Sequence, residues 1–222
     1  MEYIFQLKEV LTYYHILYRG LFFTITISVL SIIIGLITGW ILAISRVYGG
    51  KVLSILSGAY IEFWRNTPLI IQVFFVYFGI TSITGFSFTA FQAGLIAIIL
   101  NTTAYNAEIL RGGIQSIPKI QIESAKSLGL SFFQILRTII IPYVHRIVFP
   151  ALTNQFILII LGTSVLSVIA VNEMMNEAKE LQAVTGRTIE IYLITAVIYI
   201  VLIGVFSLLM RYLEKKIFYI HH

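Results

Sequence analysis

Five apolar stretches, each about 20 residues or longer, divide this chain: 21–44, 52–82, 90–110, 148–171 and 189–210. Wound as an α-helix, a run of that length matches the roughly 30 Å hydrocarbon core of a bilayer. Inside lipid every backbone N–H and C=O must find its partner within the segment, so long apolar runs predict helices. Composition agrees. The chain is 59% hydrophobic and 11% charged, against about 25% charged in soluble domains, and its mean hydropathy is +0.94. The fold class expected is an all-α membrane protein, one domain over 1–222 with its core at about 20–215. Residues 3–18, with Tyr3, Phe5, Leu7, Val10, Tyr14 and Leu17 among polar neighbours, predict a helix lying at the membrane interface. Met1 to Gly20 lacks the basic start and cleavage site of a signal peptide, so the first span is expected to be retained.

Several chemistries are excluded by what the sequence lacks. There is no Cys, hence no disulfide, thiolate metal site or cysteine nucleophile. There is no Asp, so an aspartyl mechanism is out. The histidines are His15, His145, His221 and His222; none is spaced as a metal pair within a span, and the last two read as a tail. No G-x-x-x-x-G-K-[ST] occurs, so ATP is not bound by this chain in that manner. An intramembrane enzyme of the metal, cysteine or aspartyl type therefore has no residues to work with.

The polar interruptions carry the information. In the first span Gly35 and Gly39 are four apart, a small-x-x-x-small face for close helix packing. The second span is broken by Glu62-Phe63-Trp64-Arg65-Asn66-Thr67-Pro68. Pro68 would leave the Trp64 carbonyl without its helical donor and should kink or restart the helix. Glu62 and Arg65 lie three apart on one helix face, either as part of a gate or as an interfacial ion pair of little energy. On the third span Gly94, Asn101, Tyr105, Glu108 and Gly112 form one small or polar stripe. A carboxylate in a span costs about 2.5–3.5 kcal/mol near its centre and so faces protein or water. Asn101, Tyr105 and Glu108 either line a polar pathway or hydrogen-bond neighbouring helices.

Between the third and fourth spans, residues 111–146 contain a short helix. Ser116 is the expected N-cap, Pro118 falls in the first turn, and Gly129 supplies the left-handed residue that ends it. About eleven residues give about 16 Å, too short to cross a bilayer. Flanked by Lys and Arg, it looks like a docking element for a partner at the membrane surface. Ser131 then caps a second short helix, with Phe132, Ile135, Leu136, Ile139 and Ile140 on one face and Pro142 closing it. Residues 172–188, rich in Glu, read as an exposed connecting helix.

Glu123-Ser124-Ala125, three residues, Gly129, nine residues, Ile139, one residue, then Ile141-Pro142 resembles the EAA loop of permease subunits from binding-protein-dependent ABC importers. Ser124 stands where the family pattern has Ala, and Ile141 where it has Leu. Ala107 to Ile114 and Tyr60 to Gln72 are similar to the polar amino acid branch, with Ile120 and Asn66 at positions where that branch usually has Gly. The resemblance implies a type I ABC importer permease fold of about five spans, with short cytoplasmic coupling helices. It implies that Glu123, Ser124, Ala125, Gly129 and Pro142 couple to a separate ATPase, and that Asn101, Tyr105, Glu108, Glu62, Arg65, Thr163 and Ser164 flank the substrate path. The family's charged residue before the fourth-span hydroxyl run is absent, since Leu161-Gly162-Thr163-Ser164-Val165 keeps only the hydroxyls.

Further implied are two ATPase subunits that bind ATP and Mg, a second permease that is identical or homologous, an extracytoplasmic solute-binding protein, and a bacterial inner-membrane location. This chain itself would hold no cofactor. With the docking loop in the cytoplasm, ten Lys and Arg lie inside and four outside, with Arg65 unassigned among the fifteen. That bias independently favours the N-terminus outside and the C-terminus inside. It also accounts for the net charge of +5 without a nucleic-acid partner. The competing reading is a self-contained secondary transporter or channel. Against it stand the lack of an internal repeat and the small number of buried ionisable groups that could relay protons.

Overall fold

The computed structural model describes residues 5–218. Helix α1 is a single short piece, Leu7–Leu11, and α2 runs from Tyr14–Tyr48. The interfacial helix expected over 3–18 is therefore corrected. Residues 3 and 4 lie outside the described residues, and Tyr14 and Leu17 already belong to the first spanning helix, which runs unbroken through Gly20 because that glycine is packed against Met174. Then follow α3 (Lys51–Arg65) and α4 (Leu69–Thr84), which meet at 106°. Helix α5 is Ala90–Gln115, α6 is Lys119–Ser127, and α7 is Phe132–Ile169. The chain ends in α8 (Met174–Thr185) and α9 (Thr188–Phe218). Four of these helices are long and apolar enough to cross a membrane, and the bent pair α3–α4 makes five if counted as one. The terminal His221-His222 pair lies outside the described residues.

The close packing written into Gly35 and Gly39 joins α2 to α5. A Cβ on Gly35 would stand 2.5 Å from Thr102 Cγ2, and one on Gly39 would stand 2.9 Å from Asn106 Cβ. Both lie inside van der Waals contact, so only glycine lets the two backbones approach this far. Thr38 and Thr103 hydroxyls meet across the same seam at 2.7 Å. Around it Ile27, Ala97, Leu110, Val144 and Leu166 are buried in the main apolar core.

Two prolines behave differently. At Pro68 the chain leaves the helix altogether, with extended backbone (ψ 137°). Pro142, expected to close a short helix, does not. Residues 132–169 are one continuous helical path, and the fourth span starts well before 148. A π-turn over Leu136–Ile140 precedes Pro142, and the Ile141 N–H bonds the Leu136 carbonyl five residues back. The wider turn passes a residue with no N–H to give, which an α-helical register would not.

Helix α8 also departs from expectation. It is not exposed but packed on α2, with Met174, Asn176, Glu177, Ala178 and Leu181 buried. Gly20 makes room, since a Cβ there would sit 2.9 Å from Met174 Cα. Arg19 holds the buried Glu177 by two hydrogen bonds, Nε to Oε1 at 3.0 Å and Nη2 to Oε2 at 2.9 Å. Glu173 caps α8, accepting from the N–H groups of Met175 (2.9 Å) and Asn176 (2.8 Å). Two of the glutamates that suggested a wet helix, Glu173 and Glu177, are thus its anchors, while Glu180 stays exposed.

Candidate functional site

The break at Pro68 builds a site. The end of α3 has orphan carbonyls that Pro68 cannot satisfy. Gln72, only 3% exposed, supplies the missing donor one turn into α4. Its Nε2 lies 2.7 Å from the Trp64 carbonyl, 3.0 Å from the Thr67 carbonyl and 2.8 Å from the Thr67 hydroxyl. Its Oε1 accepts from Asn101 Nδ2 at 3.0 Å. One carboxamide therefore ties both sides of the bend to α5. Tyr60 adds a second tie, donating to the Leu100 carbonyl at 3.0 Å.

The bend, α5 and α7 together enclose a cavity of about 450 Å³. Asn66 and Thr67 from the bend, Asn101, Thr102 and Tyr105 from α5, and Gln155 from α7 supply its amides and hydroxyls, while Leu69, Ile98, Leu158 and Ile159 make the rest of the lining apolar. Among the described residues that line it, Arg65 alone is charged. Thr102 is fully buried and its hydroxyl has no hydrogen-bond partner among the described residues.

Arg65 is held at the cavity's edge by α5. Its guanidinium stands over the Tyr105 ring, 5.6 Å from the centroid, and 3.6 Å from Glu108 Oε1. The Tyr105 hydroxyl donates to the Arg65 carbonyl at 3.4 Å. Glu108 itself is gripped by Arg111, one turn on, with Nε at 2.9 Å and Nη2 at 2.6 Å. Glu108 thus does not line the cavity; it orients Arg65, which does.

The remaining residues singled out in the sequence fall into two groups. Glu62 is exposed and forms no ion pair with Arg65 among the described residues, because Arg65, the last residue of α3, turns to α5 instead. Thr163 is fully buried and donates to the Ile160 carbonyl at 2.8 Å, away from the cavity. Ser164 donates to the Leu161 carbonyl at 2.7 Å and faces a neighbouring hollow beside Pro68. Sequence reasoning misses Gln72 and Gln155. The signal for Gln72 was an amide in an apolar helix, eight residues after the carbonyl that Pro68 strands. For Gln155 it was the pair Asn154-Gln155, of which the second faces inward.

The segment expected to dock a partner is a helix–turn–helix instead of a loop. Helix α5 continues through Arg111, Gly112 and Gly113 to Gln115. Ser116 closes that helix, its hydroxyl donating to the Gly113 carbonyl at 2.7 Å, and is not the N-cap of α6. Pro118 holds the N-cap position, and α6 has 9 residues, shorter than the sequence suggested. Its end is a Schellman motif. The Leu130 N–H reaches the Ala125 carbonyl at 3.2 Å, and the Gly129 N–H reaches the Lys126 carbonyl at 2.9 Å. Gly129 takes φ +79° as the motif requires. Ala125 is buried against the protein, whereas Glu123, Ser124, Gly129 and Pro142 are at least partly exposed. Beside them Ile120, Leu128 and Phe133 are 67%, 81% and 79% exposed, a bare apolar patch on a rigid frame.

Residues 31–219 match the family described as binding-protein-dependent transport system inner membrane component. The probable glutamine ABC transporter permease protein GlnM of Bacillus subtilis (strain 168) is 36% identical over 198 residues, 89% of this chain and 91% of that protein. The arginine transport system permease protein ArtQ of the same organism is 32% identical over 199 residues, 90% of this chain and 91% of that protein. A crystal structure of an amino acid ABC transporter with histidines superposes with a TM-score of 0.87 at 33% identity, covering 96% of this chain and 100% of that one. The all-helical importer-permease fold expected from the sequence is the fold found. The chain belongs to the family of inner membrane components of binding-protein-dependent transport systems.

Proposed function

We propose that this chain is the permease half of an ATP-driven importer of polar amino acids, working as a single domain across 1–222. The observation that carries the reading is the amide-lined cavity at the Pro68 break with Arg65 at its edge. A guanidinium suits an amino acid carboxylate. Asn101, Tyr105 and the bend residues offer hydrogen bonds to the rest of a small polar molecule. Glu108, whose charge is matched by Arg111 and Arg65, is not free to bind a cationic side chain. A neutral polar amino acid therefore fits better than a cationic one, in keeping with the relative named for glutamine. Ser164 borders the bend from the next hollow; Glu62 and Thr163 are supporting positions.

Transport needs partners. The exposed patch around Glu123, Ser124, Gly129 and Pro142, seated by Ala125, would dock on one of two ATPase subunits, which bind and hydrolyse ATP with Mg. This chain needs no cofactor of its own. A second permease, identical or homologous, would complete the path, and an extracytoplasmic binding protein would deliver the substrate. The excess of Lys and Arg around the docking helix favours a cytoplasmic α6 and C-terminus and an outside N-terminus. Closure of the ATPases would draw two copies of α6 together and tilt a two-state permease between inward- and outward-open forms.

The test uses the complex reconstituted with its ATPase and binding protein in liposomes. Glu123→Lys and Gly129→Asp should abolish ATPase association or stimulated uptake, while Arg65→Gln should leave association intact and lower glutamine uptake. Wild-type behaviour in all three variants would refute both the docking and the cavity assignments.

A further inference from the structure

A second hollow, of about 650 Å³, lies between the docking helix and the end of α9; it shares Pro142 with the docking patch but has no part in the substrate path. Gln121 of α6, Ile139, Arg146 and Phe149 of α7, and Ile217 of α9 form its wall. Arg146 is exposed there and makes none of the chain's ion pairs or hydrogen bonds among the described residues. No acidic side chain is in the lining among the described residues. Glu214, the acidic residue on this stretch of α9, lies outside the wall and is not paired with Arg146. The neighbouring charges on α9 are Arg211, Lys215 and Lys216. Basic residues of this kind mark the level at which a spanning helix leaves the hydrocarbon, so Ile217 puts the hollow at that boundary. From it, exposed apolar residues lead back along both helices, with Ile147 on α7 and Leu208 and Leu209 on α9.

We propose that this hollow holds an anionic phospholipid. The phosphate sits on Arg146 and an acyl chain lies along Ile139 and Phe149, continuing into the bilayer between α7 and α9. Free phosphate would satisfy the cation but leave the apolar wall wet. A zwitterionic lipid would bring its own cation to a region that is already positive. Because Gln121 belongs to the same wall, the lipid wedges against the docking helix and supports its position, a consequence that rests on the docking role assigned to α6.

The test begins with the permease–ATPase complex, delipidated in detergent and then given phosphatidylglycerol or phosphatidylcholine, with bound lipid counted by native mass spectrometry. Phosphatidylglycerol should bind about fivefold better, as expected of one basic residue facing an anionic lipid. Arg146→Gln should bring it down to the phosphatidylcholine level, Arg146→Lys should keep it, and Arg137→Gln, on the same helix but outside the hollow, should leave it unchanged. Ile139→Trp, which fills the hollow with the cation intact, should displace the lipid and guards against misfolding of Arg146→Gln. Equal binding of the two lipids, no loss in either Arg146→Gln or Ile139→Trp, or an equal loss in Arg137→Gln would overturn the site. So would displacement by millimolar inorganic phosphate, or a peptide found in the hollow. In nanodiscs the ATPase rate should fall when phosphatidylcholine replaces phosphatidylglycerol. Lipid binding without that fall would overturn the support of α6 by the lipid, and the lipid site would stand.

Discussion

At the scale of single residues, Gln72 performs a task that a helix usually leaves to its backbone. Pro68 removes the N–H that would have served Trp64, and the Gln72 carboxamide reaches back to take its place. Gln72→Leu keeps the volume but strands the Trp64 and Thr67 carbonyls and the Asn101 amide. The expected loss is about 1–3 kcal/mol, read as a lower unfolding temperature in detergent. An unchanged temperature would mean that water substitutes for the amide. Glu173 makes a different prediction. Burial is the main cause that pushes its carboxyl up, from 4.5 to about 7, against the pull of its N–H bonds from Met175 and Asn176. The folded chain therefore holds this proton where the unfolded chain has released it. Its contribution to stability is complete below pH 4.5 and is lost as pH rises to about 7. Glu173→Gln should flatten the unfolding temperature across that window; a slope equal to wild type would assign the effect to another group.

At the scale of elements, what could be read early was whatever depends on local pattern. Gly35 and Gly39 announced a close seam and form one with Thr102 and Asn106, because the absence of a side chain is informative wherever the partner comes from. Gly129 announced a left-handed turn for the same reason. Pro142 misled because a proline has two outcomes, a stop or a register shift, and the choice lies in the backbone of Leu136–Ile140. Helix α8 misled because Glu173 and Glu177 are polar by type but buried by context. Arg19, which neutralises Glu177, is 158 positions away, and no window along the chain brings the two together. The same distance problem hid the cavity. Arg65 looked paired to Glu62 by spacing, yet its partners, Tyr105 and Glu108, come from another helix.

At the scale of the whole molecule, five apolar runs, a break at Pro68 and an exposed helix flanked by basic residues were legible before any coordinate. The lining of the cavity was legible only in part, since a cavity is the joint product of three elements. The bend at Pro68 also bears on how the protein is made. Helices α3 and α4 have 15 and 16 residues, about 22 and 24 Å, and neither alone reaches across a core of about 30 Å. Their right-angle junction exposes backbone that lipid cannot serve. One of its fasteners, Asn101, is 29 residues further along than Gln72. This segment therefore cannot settle as an independent unit while the chain is emerging from the ribosome. Residues 51–84, placed alone in a glycosylation-mapping host, should integrate poorly, and extension to residue 115 should rescue them. The second crossing is completed only when the third arrives, and the bend records that order of assembly.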